Sequence, residues 1–272
     1  MWFFKYYGFL LNTIGGIIGI HIPHPELSLP IGLSFYTFRN LSYLFDIYLS
    51  KVSAQRNFLT FSVYSTMFPY TSAGPIVRYT DIETQLKQRT INISKFGIGA
   101  ELFVKGLAKK VLLADNLSVL YSSICGHPQM SVFTSWLGIL AYTMQLYFDF
   151  SGYSDMAIGL GKMLGFDFNK NFDYPYISTS VSEFWRRWHI SLGSWFRDYI
   201  YIPLGGNRVS TLKHIRNILV VWALTGLWHG ASWNFVLWVF ITDSSILLAK
   251  ICTSEISVKK YHPGFALYTL CL

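Results

Sequence analysis

Apolar stretches separated by short polar ones run along most of the chain, and their lengths carry the first structural expectation. A helix that crosses a bilayer needs about 20 mostly apolar residues. The pattern predicts such spans at residues 9–22 (a short one), 27–49, 58–76, 132–150 and 215–241, with weaker or interfacial candidates at 96–113 and 265–272. The stretch 215–241 argues most strongly against a soluble helical bundle. Beyond Arg216 at its start it holds no Asp, Glu, Lys or Arg.

Two other segments have a mixed character. In 93–115, Phe96, Ala100, Phe103, Leu107, Val111 and Ala114 recur at three- and four-residue spacing, while Glu101, Lys105 and Lys109 fall on another face. Glu101 precedes Lys105 by four residues, the favourable order for a helical ion pair. This pattern predicts an amphipathic helix lying along the interface or shielding a cavity. In 180–201, Ser180 and Glu183 fit a capping box that would start a helix. Trp185, Trp188, His189, Leu192, Trp195, Phe196 and Tyr199 then line one face, Glu183 can pair with Arg187, and Arg186 and Arg197 share another side. A continuous helix of that kind belongs at a membrane–water boundary. Pro203, Gly205 and Gly206 end it.

Composition agrees with the spans. Of 272 residues, 52% are hydrophobic, 18% aromatic and only 13% charged, against roughly 25% charged in a soluble domain. The net charge of +8 is spread between apolar spans instead of gathered in one stripe, which argues against nucleic acid as a partner. Arg208, Lys213 and Arg216 lie in 206–217 without an acid, and the positive-inside rule places that run in the cytoplasm. Cys125, Cys252 and Cys271 suggest neither a disulfide framework nor a metal site. The opening residues lack a signal-peptide cleavage site.

Chemistry concentrates at a few positions. His229 stands roughly 21 Å along the 215–241 stretch if that stretch is one helix. Thr225 and Ser232 would share its face, and Gly226 and Gly230 would let a neighbour approach closely. An ionisable group at such depth marks a functional path by default. Imidazole can take a proton from a hydroxyl and return one later, which is most of what transfer from a thioester requires. His189, beside Trp185 and Trp188, is a second candidate of even standing between structure and catalysis. Asp149, Ser151 and Asp155 fall between two apolar stretches; Asp155 is the better functional candidate, and capping explains Asp149 equally well. Arg78, after a loop broken by Pro69 and Pro75, fits phosphate recognition, but positive-inside anchoring is the commoner use.

Five ordered blocks resemble the membrane-bound O-acyltransferase family, and the alginate and peptidoglycan O-acetylation branch within it. They are PIGLSFYTFRNLSYLFDIY (30–48), AGPIVRY (73–79), QLYFDFSGYSDMAIGLGKMLGF (145–166), FWRRWHISLGSWFRDYIYIPLGG (184–206) and LTGLWHGASWNFVLW (224–238). The resemblance implies one all-α polytopic transmembrane bundle over 1–272, with interfacial amphipathic helices around a central tunnel. It implies His229 as the catalytic residue and His189 as a second histidine near it. Asp155, Ser151, Trp185, Arg187, Thr225 and Ser232 are the expected supporting or tunnel residues. The implied donor is a cytoplasmic thioester, acetyl-CoA, with no metal. The implied acceptor is a hydroxyl of an extracytoplasmic polysaccharide or a periplasmic partner, and the implied location is the bacterial cytoplasmic (inner) membrane. Members of this branch are longer, so the chain is expected to be a fragment of a longer domain, shortened at both ends. Two other readings fit the same polar residues. One is a transporter or channel lined by His229, Asp149 and Asp155, for which the sequence offers no paired interrupted helices. The other is a non-catalytic membrane subunit that docks a periplasmic partner.

Overall fold

In a computed structural model of the protein, residues 2–25, 27–28 and 30–235 are described, and their regular elements are all helical, with no strand among the described residues. The helices are α1 (Trp2–Ile18), α2 (Leu33–Tyr48), α3 (Phe58–Thr66), α4 (Tyr79–Lys87), α5 (Ile93–Ala108), α6 (Asp115–Cys125), α7 (Val132–Met163), α8 (Val181–Arg187), α9 (Ile190–Phe196) and α10 (Thr211–His229). The all-α expectation holds. The expected spans fare unevenly. No helix of the described residues is both long and apolar enough to cross a membrane. The 58–76 stretch contains only the nine residues of α3, a single 3-10 turn at Phe68–Tyr70 and then extended backbone. Pro69 and Pro75 each remove a backbone donor, and Gly74 takes a left-handed φ of 89°, so the helix cannot continue. The candidate at 265–272 lies outside the described residues.

A long helical hairpin forms one side of the molecule. α5 continues through a π turn at Lys109–Ala114 into α6, as one rod that packs along α7. The helix read from 93–115 is therefore present, with Asn92 capping its start through the Lys95 N–H, and Glu101 and Lys105 pair at 2.6 Å. What brings the rods together is glycine. A Cβ on Gly99 would stand 2.6 Å from the Gly159 carbonyl oxygen, and one on Gly106 2.5 Å from that of Gly152. Glycine faces glycine at both points, so the backbones touch. Lys109 reaches Asp155 and Lys110 reaches Asp149, each at 2.6 Å. Asp149 and Asp155 were expected to separate two elements; instead α7 runs through them for 32 residues.

On the other side, two aromatic cores hold the loops. Tyr43, Tyr64, Tyr70, Tyr79, Ile82, Phe166 and Phe168 form one, under α2–α4. Phe38, Ile76, Leu192, Trp195, Phe196 and Tyr199 form the other. Trp195 donates its indole N–H to the Phe38 carbonyl at 3.1 Å, tying α9 to α2. Arg39 is fully buried between the cores, with its guanidinium 4.5 Å from the Tyr70 ring centre and donating to the Tyr70 carbonyl. Tyr199 donates to buried Asp46 at 2.8 Å.

The segment 180–201 corrects the expectation of one continuous helix. Its start is as read: the Ser180 hydroxyl accepts from the Glu183 N–H. The reciprocal arm reaches one residue further out, where the Glu183 carboxylate accepts from the Thr179 N–H and hydroxyl. Those bonds, with Arg187 added, hold the Glu183 carboxyl down at about 2. The helix then stops at Arg187. Trp188 is extended, and His189 takes a left-handed conformation at φ 41°. The cause is tertiary. The strand-like segment 171–173 pairs with the break, Asp173 N–H donating to the Arg187 carbonyl and Ile190 N–H to the Asn171 carbonyl, both at 2.9 Å.

Candidate active site

That break builds a chamber. A cavity of about 460 Å³ is lined by α8, α9, α10 and the middle of α7, with Trp185, Trp188, Phe150, Trp222 and Trp228 among its walls and both His189 and His229 on its surface. Its volume lies in the range of small-molecule sites. The exposed residues Arg186, Gly193 and Arg197 stand on the lining as well. The chamber is thus apolar inside and cationic at its solvent edge.

His189 is held with unusual definition. Only 4% of it is exposed, and its Nδ1 lies 3.1 Å from Asn171 Oδ1. The same oxygen accepts from the Ser191 N–H at 3.2 Å and the Ser191 hydroxyl at 2.8 Å. Asn171 Nδ2 donates to Ser154 Oγ at 3.1 Å. The His189 ring meets Phe150 edge-on at 4.7 Å, and Trp228 at 6.1 Å. Its Nε2 is buried and has no hydrogen-bond partner among the described residues. A residue in the left-handed region costs of order 1 kcal/mol or more and persists where its surroundings over-determine it. Here the surroundings are the paired segment 171–173 and the Asn171 side chain.

His229 is the last residue of α10. The expected single helix over 215–241 ends there, and Gly230 is fully extended. The helix end is tied to α1, where Lys5 donates to the Trp228 carbonyl and Tyr6 to the Leu227 carbonyl. Those are carbonyls that a helix end leaves without partners. The His229 ring packs 4.6 Å from Trp228 and stacks on Phe235 at 6.0 Å. It is solvent-accessible, not sealed as a mid-helix position would be. Trp228 therefore stands between the two imidazoles.

Of the other expected residues, Trp185 and Thr225 line the chamber. Four do not. Arg187 lies outside it, paired with Glu183 at 2.8 Å and donating to the Asp173 carbonyl. Its work is to hold the turn that carries His189. Asp155 is paired to Lys109 on the glycine seam. Ser151 is fully buried in α7, with its hydroxyl lacking a partner among the described residues. Ser232 follows the break after His229, so helical spacing no longer puts it on the same face. Arg78 pairs with Asp198 at 2.8 Å and lies over the Tyr199 ring.

Residues that sequence reasoning did not select also contribute. Arg186 and Arg197, which the sequence pattern sets on a face away from the aromatic stripe, line the chamber as well. Asn171 carried no signal in the sequence and becomes the polar centre behind His189. Trp185 and Trp228 keep buried indole N–H groups without hydrogen-bond partners among the described residues.

Comparison with known proteins gives a consistent result. The model of MBOAT, the membrane-bound O-acyltransferase family, matches residues 27–262. The chain is 47% identical over 240 residues to the protein named "Probable alginate O-acetylase AlgI" of Azotobacter vinelandii, covering 87% of this chain and 48% of that one. It is 36% identical to the peptidoglycan O-acetyltransferase of Helicobacter pylori, over 87% of this chain and 50% of the relative. It is 29% identical to the teichoic acid D-alanyltransferase of Bacillus subtilis, over 80% and 58%. The chain spans about half the length of the curated relatives it matches most strongly.

Proposed function

The chain belongs to the membrane-bound O-acyltransferase family, and from that premise we propose that it moves an acyl group, acetyl, from a thioester to a hydroxyl. The observation that carries this reading is the single apolar chamber shared by His189 and His229. In the proposed reaction the acceptor hydroxyl attacks the thioester carbonyl carbon while its proton passes to the His229 imidazole. The tetrahedral intermediate then collapses, the C–S bond breaks, and the departing thiolate takes that proton back. The products are an ester and a free thiol. His229, accessible at its helix end, is the base. His189 offers a second imidazole to orient the hydroxyl. The Trp185 and Trp228 indole N–H groups are donors available to a developing oxyanion. Aromatic walls keep the thioester away from bulk water.

The donor in this reading is acetyl-CoA. Arg186 and Arg197 at the solvent edge suit its phosphates; Arg197 is shared with Asp198, and Arg186 pairs with no carboxylate among the described residues. The acceptor is a hydroxyl of an extracytoplasmic polysaccharide, in keeping with the names of the alginate and peptidoglycan relatives. The proposed setting is a multi-pass protein of the bacterial cytoplasmic (inner) membrane. Supporting that setting, large apolar side chains are exposed along the outer faces of the hairpin, among them Val104, Leu112, Val119, Phe133 and Trp136. Water does not tolerate such a surface on a free-standing domain.

The test is turnover of labelled acetyl-CoA by the purified protein. Release or transfer of label should fall about 10³-fold in His229→Ala. Equal turnover by that variant would refute the assignment, and a solute flux that survives it would favour a transporter.

A further inference from the structure

We infer that Asn171 is the positioning residue that fixes the tautomer of His189, leaving its Nε2 lone pair as the hydrogen-bond acceptor in the chamber. The inference rests on the reading of that chamber as the transfer site, and it names a residue outside the two histidine-bearing segments 184–206 and 224–238.

The argument begins with the amide. Oxygen and nitrogen of an asparagine side chain are told apart by their partners. The Ser191 backbone N–H can only donate, and it points at the Asn171 atom 3.2 Å away. That atom must be the carbonyl oxygen. The Ser191 hydroxyl, 2.8 Å from the same oxygen, also accepts the Ile76 N–H at 2.9 Å, so its own proton is free to go to Asn171. With the oxygen so assigned, the Asn171 amide nitrogen donates to the Ser154 hydroxyl, which can serve as acceptor. An oxygen so placed, 3.1 Å from His189 Nδ1, requires a proton on Nδ1. In neutral imidazole that leaves Nε2 unprotonated.

The geometry of the opposite ring edge gives this a use. Nε2 is buried without a partner among the described residues, on a side chain that lines the chamber. A buried acceptor without a partner costs about 1–3 kcal/mol, a cost that a substrate hydroxyl or a water in the chamber would relieve. The rings packed round His189 are Phe150, Phe172 and Trp228, and the ionisable group facing it across the chamber is His229. No carboxylate among the described residues is paired with the ring to draw it into the charged form. The opposite tautomer would set Nδ1 and the Asn171 oxygen lone pair to lone pair and would turn a donor toward the hydroxyl.

Two variants and one spectroscopic reading test this. Asn171→Leu removes the acceptor. Its kcat for acetyl transfer should fall about 10²-fold at every pH, with the KM for acetyl-CoA changed by less than about twofold. Asn171→Asp keeps an oxygen for Nδ1–H and the Ser191 donors, with the Ser154 hydroxyl turned to donate. Its negative charge favours the imidazolium, so activity should be lost at a higher pH than in wild type as pH falls, and should return toward wild type above that limb. A purely structural asparagine would not give a pH-dependent rescue. Independently of turnover, nitrogen NMR of protein carrying 15N-labelled histidine, with His189→Gln assigning the resonance, should find Nδ1 protonated and Nε2 bare. An Nε2–H tautomer in wild type, or unchanged kcat in both variants, would overturn the inference. A wild type that does not use acetyl-CoA would sink the transfer reading and leave the tautomer measurement to decide this one.

Discussion

The hairpin of α5, α6 and α7 and the chamber beside α8–α10 both hold polar groups among apolar ones and treat them in opposite ways. On the hairpin the charged groups are matched. Lys109 meets Asp155, and Lys110 meets both Asp149 and Asp115, all within 2.8 Å, along a seam so close that only glycine fits at Gly99, Gly106, Gly152 and Gly159. In the chamber, His189 Nε2 and the Trp185 and Trp228 indole nitrogens are buried without partners among the described residues. Buried polar groups are normally satisfied, and exceptions ask for a reason. The charged groups of the seam are used up on one another, and the Thr143 and Ser151 hydroxyls left unmet on α7 line no part of the chamber. The chamber carries its unmet groups on cavity-lining residues, unlike the unmet atoms of Arg39 and Ser178 elsewhere, and the comparison locates function by the two features together.

Mutations can break that contrast. The largest effect is expected on the seam, where Gly106→Leu puts a side chain against the Gly152 carbonyl oxygen and the Met156 amide. Overpacking of this kind costs about 3 kcal/mol. Thermal unfolding in detergent should show the loss, with turnover per folded molecule retained. Next comes the solvent edge of the chamber. Arg186→Gln should raise the KM for acetyl-CoA about tenfold, as expected for one charge-assisted contact to phosphate, without altering stability. The smallest effect belongs to Asp155→Asn. Its ion pair is partly exposed and worth less than about 1 kcal/mol, so turnover should stay within about twofold of wild type. A large loss of kcat in Asp155→Asn with stability intact would show that the seam, too, does chemistry.

Much of the architecture was legible in the sequence. Helical spacing found α5, the Ser180 and Glu183 pair found the start of α8, and the Glu183–Arg187 and Glu101–Lys105 pairs formed as spaced. Local signals sufficed for these because both partners lie within one or two turns. The break at Trp188–His189 was not legible, since neither residue is a helix breaker and the cause is hydrogen bonding to Asn171 and Asp173 from a separate segment. The pairing of Asp155 was not legible for the same reason, its partner Lys109 being 46 residues away on another helix. The end of α10 has a signal in the sequence that competes with another: Gly230 pairs with Gly226 as small residues, and a glycine straight after a basic residue also marks a helix end. The two histidines that the sequence singles out both line one cavity in the structure.

The central claim, that the chamber between His189 and His229 receives the thioester, is tested most directly by determining the structure of the protein with a non-hydrolysable thioether analogue of acetyl-CoA. The account predicts density for the acetyl end beside Trp228, within reach of both imidazoles, and phosphates near Arg186 and Arg197. Density for the analogue on another surface, with the chamber holding none of it, would contradict it.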